Sequence, residues 1–260
     1  MKSICCIAVF LASSCIFCYS QAGIIAHRGF WNKFGSAQNS LSSLENAINL
    51  GVYGSELDAY ITKDGVVVLS HDNKYQGIEI ETANYAELLP LRLPNGEPIP
   101  TLQQYIDRVK QQQQTKLILE IKPHTTVENE NRAVTAIVQL VNDGGITELV
   151  DYISFSENIC RELIKCNPKH RVAYLSGNKS PEELKKEGYW GLDYAINVLK
   201  KQHPEWIKEA KKLGLTVNVW TVNSPEDISY FISQEVDYIT TDNPQLLKDV
   251  LESKAGAAQL

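Results

Sequence analysis

Gly54-Ser55-Glu56-Leu57-Asp58-Ala59-Tyr60-Ile61, then Thr62-Lys63-Asp64-Gly65, then Val66-Val67-Val68-Leu69-Ser70-His71-Asp72: this stretch sets both the strand pattern and the candidate site. The first eight residues form a β-rich run whose charged side chains, Glu56 and Asp58, share one face while Leu57 takes the other. The run Val66 to His71 also reads as a strand, but the Lys63-Asp64-Gly65 turn is too short for a parallel crossover, so it must fold back as a hairpin arm. If Asp64-Gly65 is a two-residue turn, paired positions sum to 129 and His71 lies opposite Asp58. Opposed residues have Cβ atoms roughly 5 Å apart, which would set the imidazole beside the carboxylates. A three-residue turn with a bulge would shift the register by one and turn His71 away.

Outward from this stretch, β-rich runs alternate with helical periods. The strands read are Ile24 to Arg28, Gly54 to Ile61, Lys116 to Lys122, Asp151 to Phe155, Arg171 to Leu175, Tyr194 to Asn197, Leu215 to Val222 and Asp237 to Thr241. Helix starts are signalled by Thr101 with Gln104, Ser180-Pro181 with Glu183, and Ser224-Pro225 with Asp227. Eight strands with intervening helices predict an α/β protein, a (β/α)8 TIM barrel with its active site at the carboxyl ends of the strands. The chain's 260 residues, 43% of them hydrophobic, suit one barrel domain over residues 23–260. The segment from about 63 to 100 lacks barrel periodicity, carries four prolines and reads as a small insertion over the mouth.

Met1 to Ala22 reads as a secretory signal peptide: Lys2 precedes an apolar run from Ile4 to Phe17, and Ser20-Gln21-Ala22 offers a small-x-small cleavage site. The expectation is an exported protein of the periplasm or cell envelope, starting near Gly23 and without a transmembrane helix. Cys15 and Cys18 give a lipoprotein second rank, since neither follows the leucine-then-small pattern that precedes an acylated cysteine. Cys160 and Cys166, six apart on one helix, stand roughly 9 Å apart along its axis, too far for a disulfide, and are expected as free thiols. Formal net charge is −6, or −7 without Lys2, the only charged residue before Gly23. With no basic stripe, a nucleic-acid partner is not expected.

The chemistry comes from residues at strand ends: His27 and Arg28 end the first, Glu56 and Asp58 the second, Glu120 and Lys122 the third, Trp220 the seventh. An unpaired buried charge costs several kcal/mol, so Glu56-Leu57-Asp58 and Glu120-Ile121-Lys122 need partners. Three carboxylates at one mouth repel unless a cation sits between them, and oxygen ligands favour one hard divalent ion, Mg2+ or Ca2+. The bland alternative is a salt-bridge cluster neutralised by Arg28 and Lys122 alone. A zinc amidohydrolase reading finds no ligand-spaced motif among His124, His170 and His203.

His27-Arg28-Gly29, Glu56-Leu57-Asp58, Thr62-Lys63-Asp64-Gly65, His71-Asp72 and Glu120-Ile121-Lys122 resemble, in order and spacing, the glycerophosphodiester phosphodiesterases. Trp220-Thr221-Val222-Asn223 and Thr241-Asp242-Asn243-Pro244 extend the resemblance weakly to the carboxyl end. It implies hydrolysis of a small phosphodiester to an alcohol and glycerol 3-phosphate. In that analogy Glu56, Asp58 and Glu120 hold the metal, His27 and His71 share acid and base duties, Arg28 and Lys122 hold phosphate, and Trp220 packs on the glycerol or alcohol. Phosphate-ester hydrolysis demands acceleration on the order of 10^17-fold, against about 10^2 to 10^4 from one acid–base residue, so a metal is expected beside the histidines. The chain departs from the family where Pro-Glu-Asn-Thr usually stands: it has Ala37-Gln38-Asn39-Ser40, Gln38 is not counted a ligand, and the lost carboxylate is expected to alter support or preference. Phe30, Trp31 and Phe34 either contact the substrate's alcohol or a lipid chain, or close the rim. The competing activities are a phospholipase D-like cleavage of lysophospholipids or sphingomyelin, with a wider apolar groove, and an inactive substrate-binding barrel.

Overall fold

All eight residues of Gly54–Ile61 are buried, as expected of a strand covered on both faces. In the computed structural model, which describes residues 21–257, this strand belongs to a closed parallel barrel; the expected signal peptide falls outside the described residues apart from Gln21 and Ala22. The strands are β1 Gly23–Ala26, β2 Gly54–Ile61, β3 Val67–Leu69, β4 Lys74–Tyr75, β5 Ile78–Glu79, β6 Lys116–Ile121, β7 Val150–Ser154, β8 Val172–Tyr174, β9 Gly191–Ala195, β10 Thr216–Trp220 and β11 Tyr238–Thr241. The barrel runs β1-β2-β6-β7-β8-β9-β10-β11 and closes on β1, every neighbouring pair parallel.

Alternation sorts each strand into two faces. Leu57, Leu119, Tyr152, Leu192 and Val217 point outward into one core shared with helix residues such as Leu44, Ile137 and Phe231. Each helix buries only one stripe, and the three helix starts read from sequence are capped as expected: the side chains of Thr101, Ser180 and Ser224 accept from the backbone N–H of Gln104, Glu183 and Asp227. The opposite strand face lines the barrel interior with a small apolar group, Ile25, Ile118, Ile153, Ala173 and Leu175.

Three sequence expectations need correction. The hairpin between β2 and β3 uses the three-residue turn Lys63-Asp64-Gly65: Thr62 N–H donates to Val66 O at 2.9 Å, and Gly65 sits at φ 91°. The register is Ala59 to Leu69, Tyr60 to Val68 and Ile61 to Val67, one residue off the expected pairing, so Ser70 and not His71 faces Asp58. Asp-Gly suits either turn length, and the extra residue in the left-handed region decides between them. The strand after the sixth helical period starts at Gly191, not Tyr194, and ends at Ala195. A side chain at Gly191 would run into Thr216 on β10, so the glycine that weakens the strand signal is what lets the two strands approach. Finally, β1 ends at Ala26, which leaves His27 and Arg28 in the turn beyond it.

Between β3 and β6 the chain leaves the barrel through the small β4–β5 hairpin and a short helix, Tyr85–Leu88. This excursion has its own apolar centre of Ile80, Leu88, Leu93 and Ile99, packed on Tyr60 and Val68. Cys160 and Cys166 lie on the helix Glu157–Cys166 and are both free thiols, the first buried and the second exposed.

Candidate active site

The barrel strands deliver charge to one end. Glu56 and Asp58 face inward from β2 and Glu120 from β6; the three are 3%, 1% and 7% exposed, and one ligand oxygen of each lies within 4.8 Å of the others. The β2–β6 register puts Asp58 level with Glu120, which forces this crowding. Two cations answer it among the described residues. Lys122 Nζ lies 2.8 Å from Glu120 Oε1 and 3.3 Å from Asp58 Oδ1, and Arg28 Nε lies 3.6 Å from Asp58 Oδ2.

Arg28 reaches this place through a turn that few residues adopt. Its φ is 55°, in the left-handed region, and Gly29 follows at 78°, where any side chain would strike Ser43. This turn aims the Arg28 backbone N–H at Glu56 Oε2, 2.6 Å away. The Arg28 side chain is held by Gln38, whose Oε1 accepts from Nη1 at 2.7 Å, while Arg28 Nε has no hydrogen-bond partner among the described residues. Gln38 therefore supports the arginine and stands outside the acidic triad. Its neighbour Asn39, also at φ 55°, does more than the sequence suggested: its amide donates to Asp58 Oδ2 at 2.9 Å, and its Oδ1 accepts from the Asp58 N–H at 3.1 Å.

These surroundings push the three acids apart. Burial, then the charges of Asp58 and Glu120, hold Glu56 well above the ordinary carboxylate range. Burial and Asp58 push Glu120 up to about 7 against the opposing pull of Lys122. For Asp58, burial is outweighed by Lys122, the Asn39 hydrogen bond, His71 and Arg28, so it stays below its ordinary value. Glu56 Oε1 has no partner among the described residues, a free acceptor in a buried acidic cluster. Three buried oxygen donors with a net excess of negative charge are the donor set of a hard divalent cation.

Two histidines flank the acids. His27 Nδ1 donates to Asp242 Oδ1 at 2.8 Å, and Asp242 is itself fixed by Asn223 Nδ2 at 2.7 Å, so the imidazole presents Nε2 to the cavity. Although burial raises the Asp242 pKa, the His27 and Asn223 hydrogen bonds outweigh it and keep the carboxyl below its usual range. His71 follows the end of β3, where pairing has stopped and alternation no longer dictates direction; although not opposite Asp58 in register, it lines the same cavity and pairs with Asp72 at 2.9 Å. Half-burial, with Lys122 and Arg28, depresses its pKa against the pull of Asp58.

The eight residues chosen from sequence, His27, Arg28, Glu56, Asp58, His71, Glu120, Lys122 and Trp220, all line one cavity of about 260 Å3. Trp220 is fixed by its indole N–H, which donates to Asp193 O at 2.9 Å, and by an edge contact with Phe155 at 5.7 Å. A second cavity of about 480 Å3 adjoins the first along Arg28 and His71, walled by Trp31 on one side and Tyr75, Leu93 and Ile99 of the excursion on the other. The three aromatics after β1 have separate fates: Phe30 packs against the barrel's own Ala26 and Val52, Trp31 lines the second cavity, and Phe34 is fully exposed. Sequence reasoning missed Asn39, Asp193 and Asp242 as site residues; Asn39 and Asp242 stood in quoted motifs, and Asp193 gave only the signal of a polar residue next to the strand read from Tyr194.

Fold and site together define a (β/α)8-barrel enzyme with a paired-histidine, acid-lined mouth. The chain belongs to the glycerophosphoryl diester phosphodiesterase family, whose model matches residues 27–246. It is similar to a glycerophosphodiester phosphodiesterase from Parabacteroides distasonis of known structure, at 46% identity and a TM-score of 0.89, covering 91% of this chain and 99% of that one. It also resembles an Oleispira antarctica phosphodiesterase solved in complex with the product sn-glycerol-3-phosphate, at 25% identity and a TM-score of 0.75, covering 89% and 97%. A glycerophosphodiester phosphodiesterase of Caldanaerobacter subterraneus subsp. tengcongensis is 26% identical over 240 residues, 86% of this chain and 95% of the relative. No helix among the described residues is long and apolar enough to cross a membrane.

Proposed function

We propose that this chain hydrolyses glycerophosphodiesters to an alcohol and sn-glycerol 3-phosphate, with one divalent cation, Mg2+ or Ca2+, held by Glu56, Asp58 and Glu120, and with His27 and His71 as the acid–base pair. The observation that carries this reading is the buried acidic triad, which leaves Glu56 Oε1 without a partner, set between two histidines. A bound divalent ion would neutralise phosphate charge and polarise the reacting oxygens. Arg28 and Lys122, both of which line the cavity, would hold the remaining non-bridging oxygen charge.

Hydrolysis breaks the bond between phosphorus and the alcohol oxygen. The attacking hydroxyl, from water or from the substrate's own glycerol, must lose a proton, and the departing alcohol must gain one; attack by the glycerol closes a cyclic phosphate, which water then opens to sn-glycerol 3-phosphate. His27 and His71 divide these two transfers. Asp242 fixes the His27 tautomer so that Nε2 takes part, and half-burial, with Lys122 and Arg28 nearby, lowers the His71 pKa and favours its uncharged ring. Trp220 and Phe155 shield the reacting end from bulk water, and the alcohol extends past His71 into the second cavity toward Trp31.

Met1–Ala22 is proposed as a cleaved export signal for the periplasm or cell envelope. A mature chain starting at Gly23 would keep the whole of β1, including the Gly23 N–H bond to Asp237 O at 2.8 Å. Its test is the mass of the exported protein, expected to start near residue 23; a chain retaining residue 1 would refute it. The catalytic reading is tested by assaying sn-glycerol 3-phosphate release from a panel of glycerophosphodiesters beside a lysophospholipid. Release from the small diesters is expected; cleavage of the lysophospholipid alone would favour the phospholipase D-like activity.

A further inference from the structure

Asp193 lies on the inward face of β9, 2% exposed, in the wall of the inner cavity, while its neighbours Leu192 and Tyr194 point out to the helix layer. Burial, with a further contribution from Glu120, pushes its pKa up to about 7 against a lowering hydrogen bond with Asn218 on β10, and no lysine or arginine among the described residues acts on it. Its Oδ1 has no hydrogen-bond partner among the described residues. Aliphatic residues dominate the packed interior of such barrels, and a buried carboxyl with a free oxygen costs stability there. The three acids across the cavity differ in kind, because Arg28 and Lys122 face them and their oxygens converge. Asp193 has the Asn218 amide beside it but no counter-charge among the described residues, and its Oδ1 stays an open acceptor. A phosphate would be repelled by it; a neutral hydroxyl donor would be bound.

We propose that Asp193 is the residue that recognises the glycerol end of the substrate, its free Oδ1 accepting a hydrogen bond from a glycerol hydroxyl. This rests on the reading of the mouth as a glycerophosphodiester site. Asp193 does so at a fixed depth, since its own backbone carbonyl anchors the Trp220 indole that walls the same cavity. The polyol would thus lie against Trp220 with one hydroxyl on Asp193. Asp193 lines the inner cavity and is absent from the walls of the outer one, so the glycerol points inward and the alcohol outward.

The test is calorimetric binding of sn-glycerol 3-phosphate and of ethyl phosphate, which has the phosphate but no hydroxyls, to the protein in Mg2+ and, separately, in Ca2+. Asp193→Leu removes the acceptor at similar volume, and Asp193→Ala does so without added bulk, so a folding failure of the first leaves the second. The expected result is a Kd for sn-glycerol 3-phosphate raised roughly 10- to 100-fold, the size of one hydrogen bond to a charged group, with the Kd for ethyl phosphate unchanged. Equal weakening of both ligands, or of neither, overturns the assignment. Parent protein that releases no sn-glycerol 3-phosphate from any diester overturns the underlying function instead, which separates the two failures.

Discussion

The two ends of the barrel each bury charge, and they treat it oppositely. At the amino-terminal end of the strands, Asp151 is the single acid at the centre of its cluster: Tyr53 donates to Oδ2 at 2.7 Å, and Arg171 and Lys116 lie 2.7 and 3.4 Å from Oδ1. One carboxylate thus meets two cations and a phenol, with the aromatic pair Tyr53–Tyr238 packed beside them. At the carboxyl end three carboxylates meet two cations and, among the described residues, leave an oxygen of Glu56 without a partner. A buried ion cluster built for stability satisfies its members; one that leaves acceptors free is set for something the chain does not supply. The same fold therefore carries a closed structural plug at one end and an acid-rich cluster with an unpartnered acceptor at the other.

Mutations at the two ends should separate along this line. Glu120→Gln is expected to lower the turnover number by about 10^3-fold or more while the metal-free protein melts no earlier than the parent, because a repelling charge has gone; early melting would make Glu120 a structural residue. Asp151→Ala should do the reverse, costing about 3 kcal/mol in urea unfolding by stranding two cations, with little change in turnover by the folded fraction. Asp242→Asn, which removes the carboxylate that orients His27, should reduce turnover by about 10^2-fold at unchanged stability; wild-type rates would show that the His27 tautomer needs no such anchor.

The pH dependence of stability sharpens the comparison further. Glu56 and Glu120 have folded-state pKa values raised above those of the unfolded chain. The folded protein then binds more protons than the unfolded one above about pH 4.5, so their contribution is present at low pH and lost as pH rises through the folded values. Metal-free protein should melt lower at pH 8 than at pH 5, and a saturating divalent cation should flatten the difference. The depressed His71 acts oppositely near its ordinary value and Asp58 acts only below about pH 4, so neither reverses the trend. A Tm that rises from pH 5 to pH 8 without metal would contradict the acid excess. The smallest effect is expected from Gln38→Glu, which turns the Arg28 contact into an ion pair: a KM increase within about tenfold, as the arginine is drawn from the phosphate.

Much of this contrast is legible along the chain. Period-two alternation in Glu56-Leu57-Asp58 and Glu120-Ile121-Lys122 gives the inward face directly, and the capped helix starts mark where each strand must return. What escaped has a physical reason. The hairpin register hangs on whether Asp64-Gly65 is the whole turn or part of a longer one, and local composition is the same in both cases. Gly191 and Asp193 lack strand propensity, so the start of β9 is visible only from the packing of β10 against it. Asn39 and Asp242 act on partners 19 and 215 residues away, contacts that only the closed barrel brings into range.

The central claim is that the mouth is an incomplete charge cluster finished by a divalent cation and used on glycerophosphodiesters. Its most direct test is sn-glycerol 3-phosphate release by protein stripped with a chelator and then titrated with Mg2+ or Ca2+. The expected result is no turnover after stripping and recovery that follows the binding of one ion per chain. Full turnover by the stripped protein in excess chelator would contradict it.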